Sequence, residues 1–239
     1  DVVEALGLLT RIPVNASRNR AVQSAWAWPI AGVIVAFVAV LTGWIATLLG
    51  VPPMMAAALT LVTQIVATGA LHEDGLADCA DGFWGGLDRA KRLAIMKDSR
   101  IGTYGVVVLV LSLLLRWSAI TILIEQHFLL GGLVTAAALS RVPMVALMGL
   151  VEPARPDGLS HSVGRPTHES LLLASAAAMA NAMLFAGFAA IPVAVIVAGL
   201  SFGTARIASQ KIGGQTGDVL GASQQIAEIA ALVTLVSIL

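Results

Sequence analysis

The chain has 239 residues, of which 58% are hydrophobic and 12% are charged, and its mean hydropathy is +0.89. Soluble domains carry about a quarter charged residues, so this composition predicts an integral membrane protein. Fourteen basic and fourteen acidic residues leave no net charge, which gives no sign of nucleic-acid binding. The single cysteine, Cys79, excludes an internal disulfide and leaves the redox compartment open.

Apolar stretches that approach the length of a membrane crossing, about 20 residues, follow one another along most of the chain. They lie at 25–49, 54–70, 104–124, 129–150, 171–190, 191–207 and 219–239. We divide 171–207 because one helix of that length would be about 55 Å long, too long for one crossing. Pro192 is well placed to start the second helix. The predicted fold class is all-α: a polytopic transmembrane helical bundle of about seven spans, forming a single integral membrane domain over residues 1–239.

Basic residues alternate between the connections of these predicted spans. They occupy the first, third, fifth and seventh connections, counting the N-terminal segment, at Arg11, Arg18, Arg20, Arg89, Lys91, Arg92, Lys97, Arg100, Arg155, Arg165, Arg206 and Lys211. The connections near residues 52, 125–128 and 190 carry none. By the positive-inside rule, the N-terminus is predicted to be cytoplasmic and the C-terminus to lie outside. Because the chain starts at Asp1 and not at Met, we expect its N-terminus to be truncated.

Three aspartates follow the second apolar stretch, in the run HEDGLADCADG at residues 72–82. At about 100° per residue, Asp78 lies about 40° from Asp74, and Asp81 lies about 20° to its other side. Carboxylates that share one helical face repel one another unless a cation is bound, and their oxygens suit Mg²⁺. This pattern predicts a magnesium site at a helix end facing the cytoplasm. The alternative is an ordinary solvated loop.

Other ionisable and aromatic residues near these spans receive structural interpretations. Glu73 lies about 100° off the aspartate face and is interpreted as a neighbour of the site, and His72 as a structural hydrogen-bonding residue more than a metal ligand. Glu228 falls within the last span and needs a partner or a water-filled cavity. Arg116 and Arg141, the two basic residues inside spans, are its candidate partners, in a structural pair or a catalytic role. Tryptophans near the ends of the first span, typical of interfacial anchors, are Trp26, Trp28 and Trp44.

Two further clusters lie on the same predicted side as the aspartates. Lys97, Asp98, Ser99 and Arg100 precede glycines at a helix start, which favours a phosphate-binding loop over a helix cap with juxtamembrane charge. The run GGQTGDVLG at residues 213–221 is typical of a loop that closes on a ligand. The alternative is a flexible connection with Asp218 as the helix cap.

These motifs together resemble the cobalamin synthase family, adenosylcobinamide-GDP ribazoletransferase. The matching stretches are LLTRIPV (8–14), HEDGLADCADG (72–82), IMKDSRIGTYG (95–105), SR (140–141) and GGQTGDVLGA (213–222). The resemblance implies a Mg²⁺-dependent transferase late in cobalamin biosynthesis. It would join α-ribazole, or its 5′-phosphate, to adenosylcobinamide-GDP and give adenosylcobalamin, or its 5′-phosphate, and GMP. The family setting is the prokaryotic cytoplasmic (inner) membrane.

The resemblance also implies roles for the residues in these motifs. Asp74, Asp78 and Asp81 would hold one or two Mg²⁺, and Asp218 would complete the metal site or accept the hydroxyl proton. The implied substrate-binding residues are Lys97, Asp98, Ser99, Arg100, Gly214, Thr216 and Arg141. Besides the two substrates, the lipid bilayer is the expected partner, and a homo-oligomer or a complex with other cobalamin-pathway enzymes stays open.

Three other functions remain as alternatives. A membrane prenyltransferase would carry two aspartate-rich motifs, whereas the second cluster here has only Asp218. A CDP-alcohol-type phosphotransferase also uses an aspartate-rich helix and Mg²⁺, but its motif differs from this one. A transporter would use Arg116, Arg141 and Glu228 along a pathway, but such proteins often show repeated halves, and none is found here.

Overall fold

The structure is a computed structural model that describes residues 1–17, 20–156 and 158–239; Arg18, one of the predicted cytoplasmic basic residues, lies outside them. The α-helices are α1 (Val2–Leu9), α2 (Trp28–Leu48), α3 (Pro53–Thr68), α4 (Leu71–Gly85), α5 (Arg89–Ile95), α6 (Thr103–Glu125), α7 (Leu129–Leu150), α8 (Leu159–Val163), α9 (His168–Ala186), α10 (Ala190–Ile212) and α11 (Gly217–Ile238). Short 3₁₀ turns at Gln23–Ala27 and Gly187–Ala189 precede α2 and α10. The described residues contain no β-strand, so the all-α prediction is confirmed.

The helix pair α3–α4 carries the aspartate motif and is sharply bent. Gly69 and Ala70 both adopt left-handed backbone conformations, with φ of 65° and 57°, and the two helix axes differ in direction by 86°. Glycine adopts this conformation without steric penalty and commonly ends helices. The bend turns α4 away from the axis of α3 and lets α4 pack against α6 and α11.

Five segments of the described chain are long and apolar enough to cross a membrane, or six if the bent pair α3–α4 counts as one crossing. One of the five, His168–Ile212, contains both α9 and α10. Ser175 of α9 and Ala198 of α10 line the same hollow beside α7, so the two helices lie next to each other. Counted separately, they would bring the total to seven. The predicted number of spans stays a prediction, because length and composition alone give five or six.

Helix α7 lies at the centre of the bundle and packs against α2, α9 and α11. The surfaces of α2, α3, α6, α9 and α10 expose large apolar side chains, as expected where helices face lipid; examples are Leu41, Val62, Val110, Leu173 and Val195. Trp44 is 51% exposed near the end of α2, whereas Trp28 is only 2% exposed. The prediction of Trp28 as an interfacial anchor is therefore wrong, because its indole packs into the bundle.

Candidate active site

Close packing of α4 against α11 brings the predicted aspartates together. A Cβ atom on Gly75 would lie 2.6 Å from the backbone oxygen of Asp218, so glycine is needed for the two helices to approach at this point. At the start of α11, the Thr216 hydroxyl accepts a hydrogen bond from the Val219 N–H at 3.3 Å and donates one to Asp218 Oδ2 at 3.1 Å. Thr216, and not Asp218, is therefore the cap of α11.

Asp74 and Asp78 on α4 and Asp218 on α11 lie on the two helices that meet here, and we call them the carboxylate cluster. Asp74 is exposed, while Asp78 and Asp218 are partly buried. The negative charges that act on Asp78 are those of Asp74, Asp218 and Asp81. Asp74 and Asp218 also line one small cavity. The cluster concentrates negative charge where the first turns of α4 and α11 meet, which favours binding of a cation.

Asp81 belongs to the same run of residues, but its carboxylate accepts hydrogen bonds from backbone N–H groups. It is 8% exposed, and its two oxygens accept hydrogen bonds from the backbone N–H groups of Gly102 at 2.7 Å and Gly105 at 2.9 Å. These donors lie at the start of α6, where the helix dipole also favours a negative charge. Side chains at either glycine would collide with the Asp81 carboxylate. Asp81 therefore attaches the first turn of α6 to α4.

Arg155 lies beside the carboxylate cluster. In the sequence it appears only as one of the basic residues used to predict the membrane topology. Its Nη2 lies 3.4 Å from Asp218 Oδ2. Its Nε and Nη1 are buried and have no hydrogen-bond partner. Unpaired donors of a buried guanidinium are costly. Since a guanidinium binds phosphate oxygens through two donors, the arrangement suits a phosphate group beside the carboxylates.

Backbone pairing between two connections places Arg155 next to Asp218. Gln215 N–H donates to the Glu152 backbone oxygen at 2.9 Å, and Ala154 N–H donates to the Gln215 backbone oxygen at 2.8 Å. A Cβ atom on Gly214 would overlap the Glu152 backbone oxygen. Gly214 therefore permits this pairing. The glycines of the GGQTGD run thus allow the connection between α7 and α8, which carries Arg155, to lie against the connection before α11.

The predicted phosphate-binding loop, residues 97–100, leads directly into the first turn of α6, which Asp81 binds. Lys97, Ser99 and Arg100 are exposed. The Arg100 side chain is 87% exposed and its Nη2 lies 2.7 Å from Asp98 Oδ2. Hydrogen bonds from Arg100 lower the pKa of the Asp98 carboxyl to about 2. This pair is internal to the loop, and its exposure leaves the arginine accessible to an incoming phosphate.

Arg141 is placed elsewhere, in a buried ion network formed by Glu73, Arg116, Arg141 and Glu228. Arg116 lies 2.6 Å from Glu73 and 3.1 Å from Glu228, and Arg141 lies 3.0 Å from Glu228. The prediction that Glu228 pairs with one of these arginines is confirmed, and it pairs with both. Ion pairing and burial hold Arg141 inside the bundle, so the structure does not place this predicted substrate-binding residue with the aspartates.

The chemistry of the carboxylate cluster fits Mg²⁺ only when other ligands contribute. Within the described parts of the chain, no group of three His, Cys, Asp or Glu side chains is drawn together closely enough to hold a metal ion. Mg²⁺ commonly binds through one or two carboxylates and takes its other ligands from water and substrate phosphates. Asp74 and Asp78, four residues apart on α4, would supply two such carboxylates, and a diphosphate would have to supply further ligands.

Comparisons with known proteins agree over nearly the whole chain. A family model described as cobalamin-5-phosphate synthase matches residues 1–236. A Bradyrhizobium diazoefficiens protein named adenosylcobinamide-GDP ribazoletransferase is 44% identical over 237 residues, covering 97% of this chain and 91% of the relative. Relatives of the same name from Mesorhizobium japonicum and Rhizobium meliloti are 43% and 41% identical, and they cover 97% of this chain and 91% and 94% of their own lengths. No solved structure matches the chain.

Proposed function

The chain belongs to the cobalamin-5-phosphate synthase family, whose relatives are transferases, and we propose that it transfers adenosylcobinamide phosphate from adenosylcobinamide-GDP to α-ribazole or its 5′-phosphate in a Mg²⁺-dependent reaction. The products are adenosylcobalamin, or its 5′-phosphate, and GMP. One observation carries the proposal of phosphoryl chemistry. The partly buried guanidinium of Arg155 has two buried, unpartnered nitrogens and lies beside Asp218 of the carboxylate cluster.

The residues around this cluster would divide the work of binding. Asp74 and Asp78 would hold Mg²⁺ together with oxygens of the diphosphate. Bound there, the metal would neutralise phosphate charge and stabilise the charge that develops on the leaving GMP. Arg155 would donate Nε–H and Nη1–H to phosphate oxygens. Lys97 and Arg100 would contact the same diphosphate from the loop.

In the proposed reaction a ribose hydroxyl of the acceptor attacks the phosphorus that is attached to the corrinoid. A bond forms between the hydroxyl oxygen and that phosphorus. The bond from that phosphorus to the bridging oxygen breaks, and GMP leaves with the oxygen. The hydroxyl proton passes to Oδ1 of Asp218. Thr216 and Arg155 hold the other oxygen, Oδ2, which orients the carboxylate for this role.

Asp81 has no direct role in this proposal, because both of its oxygens bind backbone N–H groups. Gly214 and Thr216 support the site by pairing the connections and capping α11. Arg141 acts within the buried ion network. Basic connections near the carboxylate cluster support a reaction on the cytoplasmic side of a prokaryotic inner membrane, with the N-terminus on that side.

Family membership over residues 1–236 decides against the membrane prenyltransferase and the CDP-alcohol-type phosphotransferase. The transporter alternative required Arg116, Arg141 and Glu228 to line a pathway. These residues are buried and bind one another, an arrangement that favours a structural role.

The test uses the purified full chain in lipid nanodiscs with adenosylcobinamide-GDP, Mg²⁺, and α-ribazole or its 5′-phosphate in separate reactions. We expect GMP and the joined corrinoid product in equal amounts, and loss of both when EDTA is added. The acceptor with the higher kcat/KM is the substrate. Absence of GMP release with both acceptors would refute the proposed function, and full activity in EDTA would refute its metal dependence.

A further inference from the structure

A cavity of about 130 Å³ opens beside the carboxylate cluster and is lined by residues of α1, α2, α4, α7, α8 and α11. We call it the Trp28 cavity. Its apolar lining residues include Trp28, Met144 and Met148, and its polar lining residues include His72, Asp74, Arg155 and Asp218. Pockets for drug-sized ligands have volumes of about 300–1,000 Å³, so this cavity accommodates one moiety of a substrate and not a whole nucleotide.

Four buried side-chain atoms in the lining of this cavity have no hydrogen-bond partner. Two of them, Nε and Nη1 of Arg155, are given to the diphosphate by the proposed function. The other two are Nε1 of Trp28 and Nε2 of His72, and both residues are only 2% exposed. A buried tryptophan N–H usually finds a hydrogen-bond partner, and an unsatisfied buried group lowers stability. Their presence in one cavity indicates that a ligand supplies the missing hydrogen bonds.

We propose that the Trp28 cavity binds the aromatic base of the nucleoside acceptor. Nε1–H of Trp28 donates to a ring nitrogen, and the ribose hydroxyls lie toward Nε2 of His72, Asp74 and Asp218. This assignment rests on the proposed function. The thioethers of Met144 and Met148 suit the face and edge of an aromatic ring. The base therefore lies against the apolar lining residues, and the attacking hydroxyl enters the carboxylate cluster beside the polar ones.

The other base in the reaction, guanine, fits this cavity less well. Guanine carries several donors and acceptors along its edges. With Arg155 given to the diphosphate, Asp74 to the metal and Asp218 to the proton, the cavity offers a base only the unpartnered atoms of Trp28 and His72. Burying the remaining polar groups of guanine without partners is unfavourable. A benzimidazole base has one free acceptor nitrogen and otherwise apolar edges, which matches one indole donor. The guanosine half of the donor substrate therefore binds outside this cavity.

The test compares Trp28→Phe with Trp44→Phe in nanodiscs, measuring KM separately for α-ribazole and adenosylcobinamide-GDP. Trp28→Phe removes the donor and keeps an aromatic ring, so KM for α-ribazole should rise about fivefold, the value of one hydrogen bond. KM for adenosylcobinamide-GDP should change by less than about twofold, because the guanosine half binds elsewhere. Trp44 is exposed near the other end of α2, so Trp44→Phe should leave both constants unchanged.

A second variant changes another residue in the lining of the Trp28 cavity. Met148→Phe fills part of its volume and should also raise KM for α-ribazole selectively, which decides the question if Trp28→Phe fails to fold. An unchanged KM for α-ribazole in both variants would overturn the assignment. A selective rise in KM for adenosylcobinamide-GDP would overturn it too and would place guanine there. Absence of ribazole transfer by the unmodified chain would instead refute the proposed function, and the assignment with it.

Discussion

Replacing Asp81 by asparagine or alanine tests whether this carboxylate holds the start of α6 or a metal ion. Asp81 is buried and accepts two backbone hydrogen bonds, at 2.7 and 2.9 Å. Hydrogen bonds to charged groups are each worth about 1.5–3 kcal/mol, so Asp81→Ala, which removes both, should lower the free energy of unfolding by about 3 kcal/mol. Asp81→Asn keeps one acceptor oxygen and should lose about half of that. For a chain of this size, these losses correspond to about 6–12 °C and 3–6 °C in Tm.

The assay is thermal unfolding of the purified chain in detergent, with Asp98→Asn as the matched control. Asp98 is partly exposed and pairs with Arg100 of its own loop, whose side chain is 87% exposed, so this substitution should leave Tm unchanged. Gly105→Ala should lower Tm like Asp81→Ala, because its methyl group would collide with the same carboxylate. The structural role of Asp81 is refuted if the Asp81→Asn variant keeps the original Tm but loses all Mg²⁺-dependent turnover. That result would assign Asp81 to the metal site.

Four shorter predictions address the rest of the molecule. Arg155→Lys should lower kcat/KM for adenosylcobinamide-GDP about 100-fold because it loses the paired donors, while Arg165→Lys, in the same connection, should leave it within about twofold. Asp78→Asn should abolish Mg²⁺-dependent turnover without lowering Tm; near-normal activity would remove Asp78 from the metal site. Glu228→Gln should cost about 3–5 kcal/mol of stability because both buried arginines lose a charge partner, and an unchanged Tm would contradict this. A reporter fused to the C-terminus should be accessible from outside the cell, and a cytoplasmic signal would contradict the seven-span topology.

Helical periodicity and charge repulsion are enough to identify much of the candidate site from the sequence. Asp74 and Asp78 can be placed on one face because four residues return a helix nearly to the same direction. Glu228 can be assigned an arginine partner because an isolated charge within a span is unfavourable. The shared face of Asp74 and Asp78 follows from their spacing along one helix. The arginine partner of Glu228 follows from the cost of a charge in a membrane. Neither inference requires knowledge of which helices are in contact.

Sequence patterns are insufficient where the position of a side chain depends on tertiary contacts. Asp81 has the helical phase of the other two aspartates, but its carboxylate accepts hydrogen bonds from backbone N–H groups at the start of α6. Arg155 carries only the signal of a basic cytoplasmic connection, and its place beside Asp218 depends on backbone pairing of Gln215 with two residues near Pro153. Trp28 has the sequence position of an interfacial anchor, yet the packing of α2 buries it.

The buried ion network joins the helices that carry the acidic cluster. Glu73 immediately precedes Asp74 on α4, and Glu228 lies on α11, which begins beside Asp218. Their pairing with Arg116 and Arg141 balances two negative charges with two positive ones and fixes α4 and α11 relative to α6 and α7. The unbalanced charge is thereby confined to the carboxylates above the network, where water, a metal ion or a diphosphate can reach it. A side chain that breaks the network should therefore change the geometry of the carboxylate cluster without touching a substrate.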